Sequence, residues 1–305
     1  MKRYGNCLAL TAAIALVLAL FPGLEKLNAA SDRDKPALFV DSQWLQDNLA
    51  DVTLVDARPE KDYRNGHIPG AVSAPWQSFT HMENRPGDPR WGVLLPADQL
   101  SDLMAPLGVE NGKPVVVYAR TPGWGEDGRF AWMAMMARIR DVRILDGGID
   151  AWKRSGGEIS RNSPAPLKSA LAIDSLDEGL TAATDWIRSS MGRIRIVDSR
   201  TRKEYEGAVK HGEARGGRLP GSVLVPFRSM FNGDGTVKSV PELRQMFLEA
   251  GLTPEDEIVT YCTAGIRSAH MTLMLRLAGF SRARNYDASF YEWAGRKDLP
   301  LERQE

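Results

Sequence analysis

Short runs of apolar, mostly β-branched residues alternate along this chain with longer stretches whose apolar positions recur at helical spacing. In the first half, Val52–Val55, Val115–Tyr118 and Val142–Leu145 predict strands, and Ser42–Leu49, Pro96–Leu107 and Arg129–Ile139 predict helices. In the second half, Ile194–Val197 and Glu257–Tyr261 predict strands, while Pro241–Ala250 and Ser268–Ala278 predict helices. Alternation of this kind builds an α/β fold, a mostly parallel sheet with helices on both faces. In such sheets ligands gather at the carboxyl ends of the strands.

The pattern is written twice. The offset that lays Trp44 on Trp186 also lays Asp56 on Asp198, Arg58 on Arg200 and Tyr63 on Tyr205. Further on, after an insertion in the second copy, Pro69-Gly70 matches Pro220-Gly221, Tyr118 matches Tyr261 and Trp152 matches Trp293. So long a repeat marks duplicated domains rather than a solenoid. A length of 305 residues suits two domains of about 140 to 150 residues, each able to bury its own core. The Ser-, Gly- and Pro-rich stretch between the copies reads as a linker. The expected division is a first domain at 31–158, a linker at 159–172 and a second domain at 173–305.

Residues 1–30 are set apart. Lys2 and Arg3 precede an uncharged stretch whose apolar core runs from Leu8 to Phe21, and small residues follow at Ala29, Ala30 and Ser31. This is the layout of a secretory signal peptide, with an apolar core too short for the roughly 20 residues of a membrane-spanning helix. The chain is therefore expected to be exported, to a periplasm, with an uncleaved N-terminal anchor as the alternative and no stable membrane partner. Export removes Cys7 and leaves Cys262 as the sole cysteine, so no intramolecular disulfide can form. A lone thiol in an oxidising compartment calls for a chemical role.

Composition narrows the field further. Lys and Arg number 39 against 39 Asp and Glu, and 43% of residues are hydrophobic, which fits neither a disordered chain nor a nucleic-acid surface. With four histidines and no Cys/His cluster, no metal site is expected.

Chemistry concentrates at one loop. Cys262 directly follows the predicted strand ending at Tyr261, and Thr263, Ala264, Gly265, Ile266 and Arg267 lead into the helical pattern that starts near Ser268. A thiol between a strand's carboxyl end and a helix amino terminus meets free amides and the helix dipole, which lower its pKa from about 8.5. Gly265 lets successive N–H groups converge on an anion, and Arg267 adds a positive charge. The competing reading is a small buried cysteine of no chemical use. His270 is expected to pack or support from a distance rather than act as a base.

With these residues in place, the chain resembles the rhodanese family, specifically its tandem-domain sulfurtransferases. The first half carries the resemblance in Asp56-Ala-Arg58, Gly66-His-Ile-Pro-Gly-Ala71, Leu145-Asp-Gly-Gly148 and Ala151-Trp152. The second half carries it in Asp198-Ser-Arg200, Leu219-Pro-Gly-Ser222, the loop Cys262–Arg267, Tyr286-Asp-Ala-Ser289 and Glu292-Trp293. The resemblance implies two rhodanese-like domains, the second catalytic and the first inert, since Ala119 stands where the second copy has Cys262. It implies that the Cys262 thiolate, reachable from solvent, takes sulfur from a small anionic donor, thiosulfate or 3-mercaptopyruvate. The persulfide so formed, held by amides from Thr263 to Arg267, would pass its sulfur to cyanide or a thiol without metal or organic cofactor.

The departures also bear on function. The loop lacks the serine of the mercaptopyruvate branch and the basic pair of the vertebrate thiosulfate branch, and Cys-x-x-Gly-x-Arg-Ser-x-His is similar to bacterial thiosulfate enzymes. Glu204 replaces the family's arginine before the tyrosine of the second domain, and Arg215, in an inserted loop, is the candidate to supply that charge. The Asp-x-Arg pairs occur in both copies and read as scaffold, as do Trp152 and Trp293. Two other functions are weighed: a low-turnover sulfur-relay or partner-binding module, and a cysteine-dependent phosphatase, whose loop is one residue longer.

Overall fold

The computed structural model describes residues 38–88 and 90–303. The predicted signal peptide, with Cys7, and the first residues of the predicted first domain lie outside them. Among the described residues no helix is long and apolar enough to cross a membrane.

Residues up to Arg154 form a sheet of β1 (Phe39–Val40), β2 (Thr53–Asp56), β3 (Val72–Ser73), β4 (Val115–Tyr118) and β5 (Val142–Leu145). Its order is β1-β5-β4-β2-β3 and every pairing is parallel. The helices are α1 (Ser42–Asn48), α2 (Glu60–Asn65), α3 (Ala97–Met104), α4 (Glu126–Met136) and α5 (Gly148–Arg154). The second sheet holds β6 (Arg195–Asp198), β7 (Val223–Leu224), β8 (Ile258–Tyr261) and β9 (Ala283–Asn285), in the order β7-β6-β8-β9, again parallel throughout. Thr181 bridges Asn285 in parallel at the position that β1 fills in the first sheet. The helices here are α6 (Thr184–Ser190), α7 (Arg202–Tyr205), α8 (Val240–Glu249), α9 (Ile266–Leu277) and α10 (Ser289–Gly295). The expected α/β architecture is therefore present twice.

Both sheets are covered on both faces, which is why their strands are apolar throughout. One apolar core joins Val117 and Phe130 of the first domain to Val197, Phe227 and Leu275 of the second. Two smaller cores lie on the outer faces, around Trp152 and around Trp293. Both tryptophans are buried, and each indole N–H donates to a backbone carbonyl, of Glu158 and Pro300 respectively, at 2.8 Å. Their reading as core anchors stands.

The Asp-x-Arg motifs do the same task in each copy. Asp56 and Asp198 end β2 and β6, pair with buried Arg58 and Arg200, and accept from the hydroxyls of Tyr118 and Tyr261. Each arginine also donates to a loop carbonyl, of Gly66 or Gly217, at 2.8 Å. Buried ion pairs of this kind fix the turn after the strand.

Helices α4 and α9 pack together between the two sheets and are buried on almost every side. Both begin earlier than their apolar spacing suggests, at Glu126 and Ile266, because each is entered through a glycine at φ +80, Gly125 and Gly265. The linker region runs extended along the first domain, with Ser160 bridging His67 and the Ser169 N–H donating to the Ala105 carbonyl at 3.0 Å.

Candidate active site

Cys262 follows β8 directly and stands at the entrance to α9. Its own N–H donates to the hydroxyl of Ser289 at 2.8 Å, and its carbonyl accepts from the N–H of Phe290 at 3.2 Å, so the start of α10 holds its backbone. Burial pushes the Cys262 thiol up. The Arg267 charge, the N–H and hydroxyl of Ser268 and the N–H of Ala264 outweigh that, and the thiol lies below its ordinary value. The Ser268 hydroxyl also donates to the side-chain amide oxygen of Asn285, at 2.7 Å. Its single proton serves one acceptor at a time, so the two amides are the donors the sulfur does not share.

A charge cluster built around Glu204 adjoins the sulfur. Its carboxylate accepts from Arg267 Nη2 at 2.8 Å and Nη1 at 3.2 Å, and from the Thr263 hydroxyl at 3.0 Å. Glu204 also closes a capping box on α7, accepting from the N–H and hydroxyl of Thr201 at 2.9 and 2.6 Å. Burial pushes the Glu204 carboxyl up, but the hydrogen bonds and charge of Arg267 and the Thr201 donors hold it well below the usual carboxylate range. Arg267 is thus an ion-paired cation, not a free one.

Arg267 opens onto a cleft of about 410 Å³, lined also by Glu204, Trp124, Lys210, Phe227 and Arg228. Trp124 comes from the first domain: its ring lies 5.3 Å from the Arg267 guanidinium carbon and meets His211 edge to face. Arg129, also of the first domain and fully buried, pairs with Asp287 and donates to the carbonyls of Gly265 at 3.3 Å and Gly92 at 2.8 Å. The domain that lacks a nucleophile therefore lines the cleft and braces the loop. Among the described residues, no group of three or more His, Cys, Asp or Glu is placed to hold a metal ion.

Most of the sequence candidates come together here, with two corrections. Cys262, Thr263, Ala264, Gly265, Ile266 and Arg267 form one loop, but Cys262 is only 1% exposed, contrary to the expectation of a solvent-reachable sulfur. The first domain packs close around this loop: Gly92 lies against Ala264, Trp91 against Tyr291, and Trp124 over Arg267. Arg215 does not line the cleft. Its guanidinium donates to the carbonyls of Trp293, Ala294, Arg296 and Leu299 at 2.6–3.1 Å, capping the end of α10, so the replacement for the family arginine is not there. His270 faces the domain junction between Phe227 and Phe231, 3.2 Å from Asp127. The contributions of Ser268, Trp124, Lys210 and Arg228 were missed. Only Ser268 carried a signal, as the residue after Arg267; the others reach the cleft from distant segments.

The rhodanese-like domain family matches at residues 41–155 and 183–296. The chain belongs to the rhodanese-like family. It is a tandem-domain sulfurtransferase, similar over most of its length to curated proteins of that kind. The sulfur carrier protein TtuD of Thermus thermophilus is 30% identical over 286 residues, 88% of this chain and 98% of that protein. The thiosulfate sulfurtransferase of Corynebacterium glutamicum is 30% identical over 285 residues, 88% of this chain and 92% of that one. Among solved structures, a single-substitution variant of EanB in complex with hercynine superposes with a TM-score of 0.79 at 20% identity, covering 89% of this chain and 71% of that one. YnjE superposes with a TM-score of 0.77 at 22% identity, covering 89% and 70%. At such identities the superpositions speak to the rhodanese fold.

Proposed function

We propose that this rhodanese moves sulfane sulfur through a persulfide on Cys262. The thiolate attacks the outer sulfur of thiosulfate, or the thiol sulfur of 3-mercaptopyruvate, forming an S–S bond to Cys262. The donor's own bond to that sulfur breaks, and sulfite or pyruvate leaves; sulfite departs with the bonding electron pair, and the pyruvate carbanion takes up a proton. A thiol or cyanide then attacks the outer sulfur of the persulfide and the Cys262 thiolate returns. The observation that carries this reading is the convergence of the Ala264 and Ser268 amides and the Arg267 charge on one thiol whose pKa is lowered despite full burial. Amides fixed by the start of α9 stabilise the terminal persulfide anion as they do the thiolate.

Mass spectrometry of the intact protein after thiosulfate, and separately after 3-mercaptopyruvate, tests the proposal. One added sulfur on Cys262, removed by cyanide and absent from Cys262→Ser, is the expected result; no adduct from either donor would overturn it. The signal peptide read in residues 1–30 sets the reaction outside the cytoplasm in this proposal, which cell fractionation checks.

A sulfur-relay role is the second reading. It draws on the 1% exposure of Cys262, which suits slow, partner-triggered turnover better than free exchange with small molecules. Phosphate-ester hydrolysis is disfavoured, because the Arg267 guanidinium that would clamp a phosphate is already bonded to Glu204 and Thr263.

A further inference from the structure

Glu204 is chemically out of place in a site for anions. It is 2% exposed, and both its oxygens are engaged by Arg267, Thr263 and Thr201. The capping box fixes it to the backbone, so it cannot swing out of the cleft when a ligand enters. Its neighbour His211 lies 3.9 Å away, and Arg200 in the same cleft is already paired with Asp198. Of the Lys and Arg residues lining the cleft, Arg200, Arg202 and Arg267 are ion-paired, and exposed Lys210 and Arg228, which make no ion pair among the described residues, stand outside this buried cluster. The inner site therefore holds a neutralised ion pair, and uncompensated positive charge begins only further out.

Resting on the persulfide reading above, we infer that Glu204 is a charge-selecting residue, tuning the inner site toward sulfur donors that carry a single negative charge beside the sulfur and against dianions. A thiosulfate dianion brings both charges to the Arg267–Glu204 pair. One is countered by Arg267, and the other meets a carboxylate held in place at low effective dielectric. A thiosulfonate monoanion has the same sulfur-on-sulfonyl shape with one oxygen anion replaced by carbon, and it lacks that second charge. Both react alike: the Cys262 thiolate bonds to the terminal sulfur, the S–S bond breaks, and sulfite or sulfinate leaves with the electron pair. Glu204 acts through charge and touches no reacting atom in this scheme.

The test is the ratio of sulfur loading from methanethiosulfonate to that from thiosulfate, measured as kcat/KM in the wild-type protein and in Glu204→Gln. Glutamine keeps one oxygen for the Thr201 capping box and Arg267 Nη1, and its NH2 replaces the oxygen that accepts from Arg267 Nη2 and Thr263, so the substitution removes the charge with little change of shape. The ratio is independent of how much protein is folded. The expected result is a wild-type preference for the monoanion that falls at least tenfold in Glu204→Gln, with the gain falling on thiosulfate. Binding of unreactive sulfate against methanesulfonate, followed by Trp124 fluorescence, should shift in the same sense. Loading by both donors in an unchanged ratio, or an equal loss for both, would overturn the inference and leave the persulfide reading intact. No sulfur on Cys262 from either donor in either protein would overturn both.

Discussion

Arg129 of the first domain and Asp287 of the second form a buried ion pair across the domain junction, beside the loop that carries the nucleophile. Asp287 also accepts from the N–H of Leu94 at 2.8 Å, and its backbone carbonyl occupies the space where any side chain on Gly265 would project. The φ of +80 at Gly265 and the packing of the first domain therefore answer to the same residue. The duplicated domain without a cysteine is retained as a structural half of the site.

Removing one member of that pair should be costly. Arg129→Met is expected to destabilise the protein by about 3–5 kcal/mol, because it leaves the Asp287 carboxylate buried and uncompensated. Denaturant unfolding measures this, and a loss under about 1 kcal/mol would contradict the assigned role. Persulfide formation at a temperature where the variant stays folded should also fall, since the Gly265 carbonyl loses the one donor that reaches it from the first domain, keeping only Asn285 Nδ2 and the Ala269 N–H.

Gly128 offers a test with a reversed sign. In an exposed helix, Gly to Ala gains about 1 kcal/mol. Here a methyl group would overlap the imidazole of His270 on α9, so Gly128→Ala should instead lose about 1–3 kcal/mol by overpacking the domain junction. A stabilised variant would show that α4 and α9 are not packed as described.

The pH dependence of Cys262 follows from its depressed pKa. Ultraviolet absorbance of the thiolate should rise with a midpoint below the usual thiol value of about 8.5. Arg267→Met should move that midpoint up, because the lowering charge is gone. Since the folded pKa lies below the unfolded one, the ionised thiol's contribution to stability is complete above the unfolded value and is lost as pH falls through the folded one. A midpoint at or above the ordinary value would remove the case for nucleophile activation.

Trp124 is 55% exposed and lies over Arg267. Trp124→Ala should open the approach to the loop and raise the rate of Cys262 alkylation or peroxide oxidation several-fold, with stability changed by less than about 1 kcal/mol. Peptide mass mapping after a timed exposure reads this out. An unchanged rate would mean that the sulfur is shielded from another side.

The repeat in the sequence, its apolar strand runs and the order of strand, cysteine, glycine, arginine and helix determined the two α/β domains and the loop Cys262–Arg267, because these features are local. Val115–Tyr118 and Val142–Leu145 were legible to the residue, since strands buried on both faces are continuously apolar. The short β1, β3 and β7 were not, since two residues carry no periodicity. Only the tertiary structure decided what surrounds the sulfur. It turned Arg215 to the end of α10, joined Glu204 to Arg267, and laid Trp124 and Arg129 against a loop more than a hundred residues away in the chain. Those outcomes depend on which side chains meet after the two sheets pack around α4 and α9, and spacing along the chain does not encode that meeting.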